Sequence, residues 1–370
     1  LPPPSLDDLS KVRAWRACVN NADVDGGPNT AWIASLSPWP DEFGLERMHA
    51  LLEELGHPER AYPAVHVVGS NGKSTATRKI AELLRLEGLD VGAYTSPHVS
   101  GWEERLDTDA TTFERAVARV RSASEGLDAT QFEALTAAAL AEFAERGVGV
   151  AVIEAGLGGR LDATNVLDAR VVHLTNVGFE HSDVLGDSRE AIAREKLAVV
   201  SPGAIVVLGE AEWAPLVPAN EVLVGDARVA AAAFVGRPIV GDVEVRLPGR
   251  LERRAATEIW DGAHTPEAVE WLLAHVPDGD WVVVVSVLRD KDVDGVLGRL
   301  AAVAQACVAT QSSNARALPA SELADRARRY VSEVVSVEDP VAAVALAHAL
   351  GPRVLVTGSL YLLADLWAAR

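Results

Sequence analysis

Apolar residues along this chain fall into two rhythms: a helical spacing of about three to four residues, and short unbroken runs of strand length. Their alternation predicts two successive α/β sheets. In Asp41–Leu55, Phe43, Leu45, Met48, Leu51, Leu52 and Leu55 recur at helical spacing, with acidic residues in the first turn, where the helix dipole favours them. An apolar run at 65–68, a helical pattern from Lys73 to Glu87 and a run at 91–94 then make a βαβ unit, which builds parallel sheet. Runs at Val148–Ile153, Arg170–Leu174 and Ala204–Leu208 follow, separated by helical patterns at Gln131–Arg146 and Arg189–Val199. A doubly wound parallel sheet is expected.

The rhythm breaks over Gly225–Arg250, where an alanine run leads into GRPIVGDVEVRLPGR, punctuated by Gly236, Pro238, Gly241, Pro248 and Gly249. A first domain over 1–246, a linker over 247–252 and a second domain over 253–370 are expected. Beyond the break, runs near Thr257–Trp260, Trp281–Val287, Ala306–Thr310, Glu333–Val337 and Arg353–Thr357 alternate with helical patterns. They predict a smaller, Rossmann-like parallel-sheet domain. A chain of 370 residues exceeds what one core usually supports, so two domains also suit its length.

Composition narrows the function classes. A hydrophobic fraction of 49% and a charged fraction of 24% are those of an ordinary globular protein. The formal charge of −19 argues against a nucleic-acid or anionic-membrane surface, which would need a basic footprint, so anionic substrates must meet local basic residues. Cys18 and Cys307 are too few and too distant for a disulfide framework, which fits a reducing cytoplasm. No apolar run approaches the roughly 18 residues of a membrane span, and the start LPPPSLDDLS lacks the charged-then-apolar pattern of a signal peptide. A cytoplasmic monomer is expected.

The densest chemistry lies in VHVVGSNGKSTAT, Val65–Thr77, where an apolar strand enters a glycine loop that ends in a lysine at the mouth of a helix. Amides around Gly69, Ser70, Asn71 and Gly72 can converge on phosphate oxygens, Lys73 can neutralise them, and Ser74 or Thr75 can offer a hydroxyl to Mg²⁺. The standard P-loop has a first glycine where this chain has Val67, so the loop is a shorter variant, expected to serve an ATPase domain. A glycine-rich turn that only caps a helix is the plainer alternative. Further on, VAVIEAGLGGRLDATNV ends a strand at Glu154, a place where parallel sheets put Mg²⁺ ligands, and continues through Arg160, Asp162, Thr164 and Asn165. LTNVGFEHSDVLG sets His181 and Asp183 after another strand, and EAIAREK carries Lys196 on the next helix. Taken singly, these are ordinary packing or surface residues. In the second half, IWDGAHTPEAV sets Asp261 and His264 at a strand's carboxyl end before a helix that Thr265 and Pro266 can start. VTGSLYL sets Ser359 likewise, and VLRDKD leaves Arg289, Asp290 and Lys291 after a strand. Asp261 and Ser359 could be simple helix caps.

Taken together, these motifs resemble folylpolyglutamate synthase and dihydrofolate synthase, in the Mur ligase superfamily. The resemblance covers most of the chain in the family's order: FGLERMHALLEELGHPERAYPAVHVVGSNGKST, GAYTSPHVSGWEERL, EAGLGGRLDATNV, LTNVGFEHSDVLGDSREAIAREKLAVVSPG, LPGRLE, DGAHTPEA, RDKD and VTGSLYLL. It implies an ATP-dependent amide ligase, in which the γ-phosphoryl group passes to a carboxylate and L-glutamate attacks the acyl phosphate. It further implies that Lys73 and the loop amides hold phosphates, that Ser74 or Thr75 with Glu154 binds one Mg²⁺, and that Glu154, His181 and Lys196 hold a second. Since a cation cannot ligate a metal, Lys196 is expected to be carbamylated by CO₂. By the same resemblance Asp261 binds the ribose, Arg250 approaches the nucleotide, and His264 and Ser359 face phosphate or glutamate. Thr95, Ser96, Pro97 and His98, with Arg160, Asp162, Thr164 and Asn165, would line the side that takes dihydropteroate or a folate. The active site would lie between the domains.

The chain departs from the family at Ser74, where a glycine is usual, and at Thr265, where asparagine is usual. The stretches 106–112 and 208–247 are shorter than the family's, which leaves folate-side specificity open. Two alternatives stand beside the expectation. One is a peptidoglycan-precursor amino-acid ligase, although about 60 residues before the loop are few for the extra domain such ligases carry. The other is a nucleotide-binding member that has lost catalysis.

Overall fold

The computed structural model describes residues 27–179, 185–217 and 220–369. Among these, the chain forms two compact units: one holds residues up to Pro97 and Gly101–Val245, the other His98–Ser100 and the chain from Arg246 on.

In the first unit, helices α1 (Pro28–Ser35) and α2 (Glu46–Glu54) precede strand β1 (Ala64–Val68). Helix α3 (Lys73–Leu86) and strand β2 (Val91–Tyr94) follow, then α4 (Ala110–Ala123), α5 (Gln131–Arg146) and β3 (Val150–Glu154). Strand β4 (Val171–Leu174), helix α6 (Arg189–Lys196), strands β5 (Ile205–Leu208) and β6 (Glu221–Val224), and helix α7 (Ala227–Val235) complete it. The sheet order is β2-β3-β1-β4-β5-β6, and every neighbouring pair is parallel. Residues of β1 to β4 are buried on both faces, which is why these strands read as unbroken apolar runs rather than as alternation. One face packs Ile80, Leu83, Leu84 and Phe234; the other packs Met48, Leu51, Phe113, Leu140 and Phe143. Helix α5 is closed by a full capping box, Thr130 with Glu133, and by Gly147 in the left-handed region at φ 65°.

The second unit runs β7 (Glu252–Ala255), β8 (Glu258–Trp260), α8 (Pro266–Leu273), β9 (Trp281–Val285), α9 (Val293–Leu300) and β10 (Ala304–Ala309). It continues with α10 (Ala320–Ala327), β11 (Val334–Ser336), α11 (Pro340–Leu350), β12 (Val354–Thr357) and α12 (Leu360–Ala368). Its sheet order is β11-β10-β9-β12-β8-β7. The sheet is parallel except for β7, which pairs antiparallel with β8. Val99, from the short segment after β2, is buried in this unit's core with Trp260, Leu362 and Leu363.

The periodic segments form where their spacing predicts. Three features differ from the expectation. The alanine run became α7, packed on α3 inside the first unit, because small side chains allow close helix contact while Asp226 caps its start. Strands β6 and β7 lie outside the expected elements: EVLV is a short, partly exposed edge run shortly before the alanine run, and ERRA is a mostly polar edge strand. Helix α1, and helix α4 with its face of Phe113, Ala116, Val117 and Val120 packed on α5, are also outside the expected elements.

Candidate functional site

In the first unit, β3, β1 and β4 are neighbours in the middle of the sheet, with Val67 opposite both Glu154 and His173. Parallel pairing therefore sets their carboxyl ends side by side, where open α/β sheets bind ligands. Three loops meet there. The glycine loop after β1 leads into α3 through Gly72 at φ 76°, a left-handed turn that glycine enters at no steric cost. Gly69, at φ 148°, lies so close to the neighbouring strand end that a Cβ would strike Thr175 Oγ1.

The loop after β4 holds the glycine loop in shape. Asn71 N–H donates to Asn176 Oδ1 at 2.9 Å, Ser70 N–H to Asn176 O at 3.0 Å, and Gly178 N–H to Ser70 Oγ at 2.9 Å. Thr175 Oγ1 donates to Asn71 O at 2.8 Å. Thr175 and Asn176 were passed over in the sequence, although they stand in the same LTNVGFEH motif, because nothing in their spacing says which strand will neighbour β1. His181 and Asp183, taken from that motif, lie outside the described residues.

Ser74 Oγ donates to Glu154 Oε1 at 3.0 Å, and both side chains are buried; Thr75, the other hydroxyl candidate, is exposed. The second Glu154 oxygen accepts the Ser96 N–H at 3.0 Å, so the carboxylate ties the Thr95–Pro97 loop to the end of β3. Thr95 is held in turn by its N–H to Arg105 O and its hydroxyl to Glu104 O. Lys73 Nζ and Lys196 Nζ each donate to Gly69 O at 2.9 Å, so two amines from α3 and α6 converge on one carbonyl. Lys196 is 1% exposed, an uncommon place for a lysine. The oxygens of Ser74 and Glu154 form a set suited to a hard divalent cation. Lys196 as an ammonium is a donor and could not join it. Among the described residues, no three His, Cys, Asp or Glu side chains gather into a metal-binding group, so a cation here would rely on Glu154, the Ser74 hydroxyl and phosphate oxygens.

The loop after β3 turns back on α6. A Cβ on Gly159 would come within 2.6 Å of the Glu195 and Lys196 carbonyl oxygens, so only glycine permits this approach. Next to it, Arg160 N–H donates to Glu195 O and its guanidinium meets Glu195 Oε2 at 3.1 Å. Asn165 Nδ2 donates to Arg160 O at 2.8 Å. Asp162 points inward: its oxygens accept the Leu157 N–H at 2.7 Å, the Thr164 N–H at 3.0 Å and the Thr164 hydroxyl. Burial raises its pKa, opposed by those donors.

The second unit carries its candidates at the ends of β8 and β12. Asp261 is buried and accepts from Leu251 N–H at 2.7 Å and Ala263 N–H at 2.8 Å. Burial raises its pKa against those bonds and the Arg250 charge. His264 Nδ1 donates to Gly262 O at 2.7 Å, which fixes its tautomer, and Arg250 donates to Gly249 O at 3.2 Å. Thr265 caps α8 through the Ala268 N–H, and Ser359 caps α12 through the Tyr361 N–H. After β9, Arg289 N–H donates to Arg316 O, while Asp290 pairs with Arg316 at 3.3 Å and Lys291 at 4.0 Å.

With both sites described, the comparisons decide the family. Residues 67–214 match the Mur ligase middle domain and residues 249–360 the Mur ligase glutamate ligase domain. The dihydrofolate synthase/folylpolyglutamate synthase of Mycobacterium tuberculosis is 32% identical, over 82% of this chain and 86% of its own length. The chain belongs to the dihydrofolate synthase/folylpolyglutamate synthase family. Solved structures of that family share its fold throughout. Escherichia coli FolC in complex with DHPP and ADP has a TM-score of 0.81 at 26% identity, covering 94% of this chain and 99% of that one. A bifunctional folylpolyglutamate synthase/dihydrofolate synthase with Mn, AMPPNP and L-glutamate bound has a TM-score of 0.82 at 28% identity, covering 93% and 98%. The matches do not favour a peptidoglycan-precursor ligase. Among the described residues, no helix is long and apolar enough to cross a membrane.

Proposed function

We propose that this family member is an ATP-dependent ligase that joins L-glutamate to dihydropteroate, to a reduced folate, or to both. The observation that carries the proposal is the convergence at the end of β1: Lys73 and Lys196 on the Gly69 carbonyl beside the buried Ser74–Glu154 pair. Loop amides and Lys73 bind the β- and γ-phosphates of ATP, which supplies the phosphoryl group that turns the pterin substrate's carboxylate into an acyl phosphate. A divalent cation, held by Ser74 and Glu154 oxygens, would neutralise phosphate charge. Such a reaction depends on placing and neutralising charged groups rather than on a protein nucleophile. Asp261, Arg250 and His264 are assigned to the nucleotide and glutamate side, with the ribose on Asp261. Thr95–His98 and the 156–165 loop are assigned to the pterin side.

Lys196 is assigned a carbamate. Two ammonium groups on one carbonyl repel each other, and one of them is almost fully buried. Carbamylation would turn the buried cation into an anionic oxygen ligand beside Lys73. The family's His181 would complete that metal set.

Coupled ATP turnover tests the assignment. ADP release should require L-glutamate together with dihydropteroate or tetrahydrofolate, and UDP-muramyl substrates should give none. No glutamate-dependent ADP release with any pterin substrate would overturn it. Lys196→Ala should lose most of the activity, and high bicarbonate should not restore it; full activity would remove the carbamate from the mechanism.

A further inference from the structure

Behind the 156–165 loop lies a buried side-chain relay whose inner member, His66, has no part in the assignment above. His66, in the middle of β1, is fully buried, and its Nε2 lies 2.8 Å from Thr164 Oγ1. Thr164, also fully buried, donates its hydroxyl to Asp162 Oδ1, and Asp162 accepts the Leu157 and Thr164 N–H groups. The direction of the relay follows from the chemistry of its members. A carboxylate accepting two backbone N–H groups is an acceptor only, so the threonine proton points at Asp162. Thr164 Oγ1 must then accept, and the proton between it and His66 belongs to the imidazole Nε2. His66 Nδ1 is buried without a hydrogen-bond partner among the described residues, which suits a bare nitrogen and would strand a proton there. Burial also pushes the His66 pKa down to about 4, so the ring is neutral.

We propose that His66 is a positioning residue for the pterin-side loop: its Nε2–H orients the Thr164 hydroxyl onto Asp162, and Asp162 in turn fixes the Leu157 and Thr164 amides. Asp162 is thereby committed to the loop's own shape, with at most one lone-pair site left for a substrate. The link to a pterin substrate rests on the function proposed above; the relay itself does not.

Two measurements test it, using the whole chain. In ¹⁵N-histidine-labelled protein, His66 should show the neutral Nε2–H tautomer at neutral pH. In His66→Leu, the Leu157 and Thr164 amides should exchange with solvent roughly tenfold faster, the change expected for losing one buried hydrogen bond, while β9 amides keep their protection. His66→Gln, which returns an amide N–H near the Nε2 position, should recover most of that protection. With pterin substrate, His66→Leu should raise its KM roughly tenfold and leave the KM for ATP unchanged, a split that general destabilisation would not give. An Nδ1–H tautomer or an imidazolium, or unchanged Leu157 and Thr164 exchange in His66→Leu, overturns the relay. If wild-type protein shows no pterin-dependent turnover, the functional assignment fails, and the tautomer and exchange results still decide the role of His66.

Discussion

The two candidate regions are built on the same plan, polar residues at the carboxyl ends of parallel strands, yet they are held together in opposite ways. In the first unit the glycine loop takes its shape from residues 104 to 108 positions away, while the Ser74–Glu154 and Lys196–Gly69 bonds span 80 and 127. In the second unit the Asp261 carboxylate, His264 Nδ1 and Ser359 Oγ bond to groups 2 to 10 residues away, while the long-range tie of Asp261 is its backbone N–H on Val356 O, part of the sheet ladder. The side-chain ties that shape the first site thus join distant loops, and those around Asp261, His264 and Ser359 act within single turns. Losing one of the remote contacts of the glycine loop should therefore disturb that loop and its partner loop together, whereas losing a side-chain bond in the second unit should stay local.

The sharpest break of that contrast is Gly69→Ala. Its Cβ would strike Thr175 in a backbone conformation that disfavours L side chains. It should abolish ATP binding, measured by calorimetry, and cost more than about 4 kcal/mol in a denaturant melt. Asn176→Ala removes the acceptor of the Asn71 N–H while leaving the backbone path intact. It should cost about 1–3 kcal/mol and raise the KM for ATP. Unchanged ATP kinetics would show that the remote clamp is not needed. Smaller again is Ser359→Ala, which loses one cap bond: about 0.5–2 kcal/mol by thermal melt, with exchange of the glycine-loop amides unchanged.

A pair of aspartates refines the comparison through pH. Burial raises the pKa of Asp107 in the first unit, but Arg78 and Arg85 overcome it and hold the carboxyl below the usual range. Its stabilisation is therefore present above the ordinary aspartate pKa and lost as pH falls through the depressed value. Burial leaves Asp261 above the usual range, so its charged form weakens folding as pH rises through that raised value. Denaturant melts from pH 3 to 7 should show Asp107→Asn losing ground against wild type as pH rises, and Asp261→Asn gaining it. The same slope for both would break the contrast.

Legibility in the sequence followed the same division. The capping roles of Thr265 and Ser359 were visible because a cap is a contact within one turn. Ser74 and Glu154 could each be singled out as a ligand candidate from position, but which hydroxyl meets the carboxylate was decided by helix rotation against β3, which buries Ser74 and exposes Thr75. His66 read as one residue in an apolar strand, and its role appeared only when the loop after β3 folded over it.

By itself the sequence determined the two sheets, nearly all of their central strands, and the strand ends where chemistry would collect. It could do so because burial on both faces writes continuous apolar runs and glycine marks where chains must turn. The tertiary structure alone decided that β3, β1 and β4 would be neighbours. Strand order is a long-range choice, and from it follow the clamp of Asn176 on the glycine loop, the approach of Gly159 to Lys196, and the meeting of two lysines on one carbonyl.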